Sequence, residues 1–372
     1  IRQSLVGSEM CIRDSLKSYK DLFFIPKNKQ GKDLIYFCGN SLGLQPKKTK
    51  EYIIQEIDDW KTLAVEGHFH AKNPWLPYHE MLSTSYSKLI GAKSSEVIAM
   101  NTLTVNLHLM MVSFYKPKIN KFKILIEKDA FPSDIYAVES QIKFHGFKAD
   151  EALIKLEPRK GEYYIRQEDI EKIIEENSNE IALILLGGVN YYTGQLFDMQ
   201  KITKVGHEHG IVVGFDLAHA IGNVKLELNK WNVDFAVWCS YKYLNSGPGA
   251  IAGAFVNERF HNVELPRFTG WWGHNKKERF LMDDKFKPIK SAEGWQLSNP
   301  PIFSLAPVFA SLSIFDKVGM DDLIKKSKAL TNYLEFLIKS IDNKNIEIID
   351  VPMRGCQLSI RVKNYDKKLF NN

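Results

Sequence analysis

Residues 234–256 read DFAVWCSYKYLNSGPGAIAGAFV. An apolar run ends in Ser240-Tyr241-Lys242-Tyr243, a Gly/Pro-rich stretch follows, and a second apolar run returns. A solvated lysine needs no such setting. A lysine that bonds covalently to a carbonyl does, because it must lose its proton to act as a nucleophile.

Working outward, the same pattern recurs. Residues 97–100, 122–127 (FKILIE), 181–186, 211–215, 234–239 and 251–256 read as strands. Residues 133–144 read as a helix. So do 199–209, with apolar residues at Met199, Ile202 and Val205 and a stop at Gly210. Near-continuous apolar runs separated by amphipathic helices predict an α/β fold, a mostly parallel sheet covered by helices on both faces. Ligands of such folds sit outside the carboxyl ends of the strands. From about Pro307 the pattern turns helix-rich to Ile341, followed by strands over 346–350 and 357–362. This predicts a smaller, truncated α+β domain. The expected division is 1–15 as a non-native or disordered N-terminus and 16–60 as a segment of the small domain or the rim of the site. A large cofactor-binding domain over 61–305 and an incomplete small domain over 306–372 complete it.

The 372 residues are 44% hydrophobic and 25% charged, as expected of a globular enzyme. The net charge of +6 is spread along the chain. Lys47-Lys48 and Lys276-Lys277 are too short as basic runs to suggest nucleic-acid binding. No apolar run approaches the roughly 20 residues that span a bilayer. Cys11, Cys38, Cys239 and Cys356 have neither CxxC nor zinc spacing, which predicts a reduced, cytoplasmic protein without a metal. His207 and His209 in GHEHG are two apart and do not share a helix face, so they read as surface. Gly247-Pro248-Gly249 lacks the GK[ST] of a phosphate loop and reads as a tight turn.

Asp216 ends a second apolar run, in VVGFDLAHA. A buried carboxylate is costly unless something pairs with it. Singly, Asp216 reads equally well as a helix cap and Lys242 as a surface residue. Together, on two strand ends, they are the groups that pyridoxal phosphate requires: a carboxylate for the pyridine nitrogen and a Schiff-base lysine. Thr102 or Thr104, after the strand at 97–100, would stand at a helix N-terminus that attracts phosphate, or simply cap it. Phe131 is placed to stack on a ring or to fill the core, and Ser133 to cap the next helix.

Eight stretches then carry a resemblance: YFCGNSLGLQP (36–46), FPSD (131–134), YYTGQ (191–195), DLAHAIGN (216–223), WCSYKYLNSGPG (238–249), GWWGH (270–274), LSNPP (297–301) and RGCQL (354–358). In this order they resemble the kynureninases, a family of the aspartate-aminotransferase-like superfamily of pyridoxal-phosphate enzymes. The resemblance implies hydrolytic Cβ–Cγ cleavage of L-kynurenine, and of its 3-hydroxy form, to anthranilate or 3-hydroxyanthranilate and L-alanine, in tryptophan catabolism and NAD biosynthesis. It implies that Lys242 bonds the cofactor, Asp216 pairs with its ring nitrogen, His219 lies beside it, and Phe131 stacks on it. Leu103 and Thr104 would hold the phosphate, with Ser133 and Asp134 also at the cofactor. Tyr241 would reach the phosphate and supply a proton. Trp271 and Asn299 would complete the site across a homodimer interface, and His68, Ser41 and Asn299 would meet the substrate.

Two departures stand out. Gly187 occupies a position where the family often has Ser. The arginine that grips the substrate carboxylate in the family lies beyond RGCQL, and the role does not transfer to Arg354. Two alternatives stay open: another pyridoxal-phosphate lyase, desulfurase or aminotransferase using the same Asp and Lys, and a chain that binds the cofactor without turnover.

Overall fold

A computed structural model of the chain describes residues 16–341 and 345–363. The expectations for 1–15, Cys11 among them, and for 364–372 fall outside the described residues.

Seven strands form one sheet: β1 (Val97–Ala99), β2 (Lys123–Glu127), β3 (Leu153–Leu156), β4 (Ile181–Gly187), β5 (Val212–Asp216), β6 (Phe235–Trp238) and β7 (Gly253–Val256). Their order is β1-β7-β6-β5-β4-β2-β3. β3, β2, β4, β5 and β6 run parallel, and β7 lies antiparallel to both β6 and β1. Parallel neighbours need a crossover. The connection 239–252 between β6 and β7 contains no helix, so β7 returns in the opposite direction.

Alternate residues of each strand feed two cores. Leu125, Ile184, Leu186, Val213, Phe215 and Trp238 pack on one face with helices Tyr78–Ile90, Met199–Glu208 and Ile302–Val318. Ile124, Ile126, Leu183, Leu185, Phe235 and Val237 pack on the other with helices Leu103–Phe114 and Pro132–Phe144. Burial on both faces is why these strands read as continuous apolar runs. Phe114 stacks on Phe235 at 4.9 Å, pinning helix Leu103–Phe114 under the sheet. Local signals set the helix starts. Asp198 caps Met199–Glu208 by accepting from Lys201 N–H at 2.9 Å, and Pro132 occupies the first turn of its helix.

Helix Ile302–Val318 begins ahead of Pro307, which lies inside it. The expected start near Pro307 is therefore late. Helix Met320–Ser340 follows, and then a two-stranded antiparallel hairpin, β8 (Ile346–Ile348) with β9 (Ile360–Val362). Both strands are shorter than expected. Residues ahead of the sheet wrap back over it. Helix Thr49–Leu63 packs on Ile302–Val318, with Tyr52 edge-on to Phe309 at 5.4 Å. Gly43 donates its N–H to the Tyr241 carbonyl at 2.8 Å. A Cβ at Gly43 would stand 2.3 Å from the Lys242 carbonyl, so the 36–46 segment can lie on the lysine strand exit only with glycine there. No single helix among the described residues is long and apolar enough to cross a membrane.

Candidate active site

One cleft opens at the carboxyl ends of β2, β4, β5 and β6. Leu103, Thr104, Glu127, Phe131, Ser133, Asp134, Gly187, Asn190, Tyr191, Asp216, His219, Tyr241 and Lys242 line it. Every residue expected at the cofactor is thus gathered there except Trp271 and Asn299.

Lys242 Nζ lies 2.8 Å from Nε2 of His219 and 5.6 Å from the centre of the Phe131 ring. Burial, and then the charge of Lys242, pushes the His219 imidazole down to about 3. The ring is therefore neutral and accepts at Nε2. Its Nδ1 is buried without a partner among the described residues. Asn223 holds the His219 carbonyl at 2.8 Å and also takes the Cys356 N–H at 2.9 Å.

Asp216 is buried at the end of β5 and accepts from Ala218 N–H at 2.6 Å. Asp134, in the first turn of helix Pro132–Phe144, lines the same cleft beside it. Burial raises both carboxyls, and the neighbouring Asp216 raises Asp134 further. The charge of Lys242 opposes the rise in both. Asp134 Oδ1 has no partner among the described residues. Tyr241 is pushed up to about 12 by burial and the thiol of Cys239, so its hydroxyl stays protonated.

Helix Leu103–Phe114 points its N-terminus into the cleft. Thr102, at the cap position, makes no side-chain bond to the first turn, which leaves those N–H groups open to an anion. Thr104 Oγ1 lies 2.9 Å from Ser133 Oγ. Ser133 thus meets Thr104 rather than capping its own helix, as was expected. Phe131 is 49% exposed to the cleft, which removes the core reading for it.

Four expected residues stand apart from the cleft. Trp271 is exposed, donates to the Arg279 carbonyl at 3.1 Å and stacks edge-on with Phe280. Asn299 and Ser41 are exposed as well. His68 contacts Trp75 at 5.5 Å, and its Nδ1 is buried without a partner among the described residues. Arg354 pairs with Glu335 and so is committed within the fold. His207 of GHEHG is half-buried rather than free at the surface. It bonds Asp234 at 2.9 Å, because Asp234 also gathers Val213 N–H and Arg259. His79, Glu80 and Glu293 approach one another as metal ligands would, but Lys276 already bridges the two carboxylates at 2.8 Å each.

Sequence reasoning missed Glu127 and Asn190, and gave Tyr191 of YYTGQ no role of its own. Glu127 ends FKILIE as Asp216 ends VVGFD, a charge closing an apolar strand.

The site fits pyridoxal phosphate. An uncapped helix start suits the phosphate, an unpaired Asp134 oxygen beside Asp216 suits a protonated ring nitrogen, and an exposed Phe131 face beside Lys242 suits the ring.

Comparison with known proteins agrees. The family profile for class-V aminotransferases matches residues 35–371. Curated kynureninases are similar along nearly the whole chain. That of Flavobacterium psychrophilum is 53% identical, covering 96% of this chain and 86% of its own. That of Myxococcus xanthus is 54% identical, covering 96% and 85%. Among solved structures, the apo cysteine desulfurase of Thermococcus onnurineus matches with a TM-score of 0.74 at 17% identity, over 91% of this chain and 81% of its own. That likeness speaks for the fold alone.

Proposed function

The chain belongs to the kynureninases, and we propose on that premise that its cleft hydrolyses the Cβ–Cγ bond of L-kynurenine, with pyridoxal 5′-phosphate as cofactor, releasing anthranilate and L-alanine. The observation that carries this reading is the convergence of Lys242, the Asp134–Asp216 pair and the open start of helix Leu103–Phe114 in one cleft.

When bound, pyridoxal phosphate supplies a carbonyl for the amine and a ring that accepts electrons. Leu103, Thr104 and Ser133 would hold the phosphate. Asp216, fixed by Ala218 N–H, and Asp134 would serve the ring nitrogen, and Phe131 would cover the ring. Neutral His219 accepts from Lys242 Nζ at 2.8 Å and so aims the amine that takes the proton from the substrate Cα. Tyr241 keeps a proton near neutral pH for delivery to Cβ of the three-carbon fragment that remains after anthranilate leaves.

Trp271, Asn299, His68 and Ser41 lie outside this protomer's cleft. Exposed Trp271, Phe280, Leu281 and Met282 form an apolar ridge that suits burial against a second copy. A homodimer with a shared active site would bring Trp271 and Asn299 to the cofactor, and His68, Ser41 and Asn299 to the substrate, 3-hydroxykynurenine included. The spaced cysteines suit the cytoplasm.

The desulfurase reading fits less well. Burial pushes the Cys239 thiol up to about 11 and raises Cys356 too, so neither is a ready thiolate. Product analysis after adding L-kynurenine to the cofactor-supplied protein tests the proposal. Anthranilate and alanine in equal amounts support it; a keto acid without anthranilate overturns it.

A further inference from the structure

Glu127 lies at the floor of the cleft and has no part in the roles above. It is 2% exposed. Its Oε1 accepts from Gly187 N–H at 2.6 Å and its Oε2 from Asn190 Nδ2 at 2.7 Å. Neither donor can be exchanged. The first is backbone. The orientation of the second is fixed, because Asn190 Oδ1 already accepts from Tyr192 N–H, Thr193 N–H and the Thr193 hydroxyl.

What these donors hold matters for the cofactor. Gly187 is in register with Asp216, and Gly188 N–H donates to the Asp216 carbonyl at 2.7 Å. Asn190 opens the turn that places Tyr191 edge-on to Phe131 at 5.3 Å and near His219. A Cβ at Gly187 would stand 3.0 Å from Glu127 Oε1, so the strand end is closely fitted to this carboxylate.

We infer that Glu127 is a positioning residue of the cofactor site: its carboxylate clamps the end of β4 beside Asp216 and the Asn190 turn behind Phe131, so that ring-nitrogen carboxylate and ring-covering phenyl are set together. The inference rests on the functional reading above. Burial raises the Glu127 carboxyl and the two donors oppose that rise, leaving it at about 7. Among the described residues, Asp216, Asp129 and Asp134 are the charged groups that act on it, and Lys242 lines the same cleft.

A donor–acceptor swap tests the clamp. Glu127→Gln keeps the shape but sets its NH₂ against either Gly187 N–H or Asn190 Nδ2. Asn190→Asp sets two carboxylates face to face. The double variant restores a full match at unchanged net charge: the glutamine oxygen takes Gly187 N–H and its NH₂ donates to the new carboxylate. Pyridoxal 5′-phosphate affinity is read from tryptophan quenching of the apoprotein, with far-UV dichroism to confirm folding. Each single variant is expected to bind about tenfold or more weakly, the scale of one disrupted charged hydrogen bond. The double is expected within about threefold of wild type, a shift well below that scale.

Unchanged affinity in Glu127→Gln, or a double variant that is unfolded or as weak as the singles, overturns the inference. If a single variant does not fold, the double variant alone decides by the same criterion. A wild-type chain that takes up no cofactor overturns the functional reading instead, and this inference with it.

Discussion

Nζ of Lys242 and Nε2 of His219 face each other at 2.8 Å, with the histidine held neutral by burial. The amine at the centre of the proposed chemistry thus has a fixed acceptor that does not compete for its proton.

The neutrality of His219 has a stability signature. Its folded pKa of about 3 lies below the unfolded value of 6.5. The contribution is fully present above pH 6.5 and is lost as pH falls from 6.5 toward 3, by up to a few kcal/mol. Urea unfolding of the apoprotein across that range should show a steeper loss for wild type than for His219→Gln. Glu127, raised to about 7, acts with the opposite sign between pH 4.5 and 7, but it is common to both proteins and cancels. Parallel curves would contradict the assignment.

Asp216→Asn keeps an acceptor for Ala218 N–H but removes the charge that faces the ring nitrogen. We expect kcat for L-kynurenine to fall by about a hundredfold or more, the scale of one lost electrostatic stabiliser. Far-UV dichroism should be unchanged. Steady-state kinetics with kcat within threefold of wild type, a change of well under 1 kcal/mol, would remove Asp216 from the chemistry.

Thr104→Val removes a hydroxyl 2.9 Å from Ser133 at the open helix start. Affinity for pyridoxal phosphate should drop by about tenfold, whereas affinity for pyridoxal, which lacks the phosphate, should not move. Equal losses for the two ligands would place Thr104 elsewhere.

Away from the cleft, Asp234 is buried and ties Val213 N–H, His207 and Arg259 together. Asp234→Ala leaves these donors without their acceptor and should cost about 3 kcal/mol of stability, as broken buried pairs do. Chemical denaturation measures this directly, and a loss under 1 kcal/mol, the range of an exposed pair, would show the cluster to be dispensable.

The central strands were legible because two-sided burial gives each an unbroken apolar run, as in β4 and β5. β3 was not, because this edge strand pairs only with β2 and places a lysine, Lys155, mid-strand. The reversal of β7 left no mark in composition, since a buried antiparallel strand is as apolar as its parallel neighbours. Asp216 and Lys242 stood out as charges closing apolar runs, and Glu127 carries the same mark. Its partners could not be read from the chain, because Gly187 and Asn190 meet it across 60 and 63 residues. Ser41, Trp271 and Asn299 stood inside recognisable motifs and His68 only in the resemblance at large, but motif order carries no information on where in space these side chains lie.

The most direct test of the account is anthranilate fluorescence after L-kynurenine is added to the protein supplied with pyridoxal phosphate, with Lys242→Ala run beside it. The account predicts a steady rise in wild type, and in the variant neither a rise nor the visible absorption of lysine-bound cofactor. Turnover by Lys242→Ala at a rate near that of wild type would contradict it.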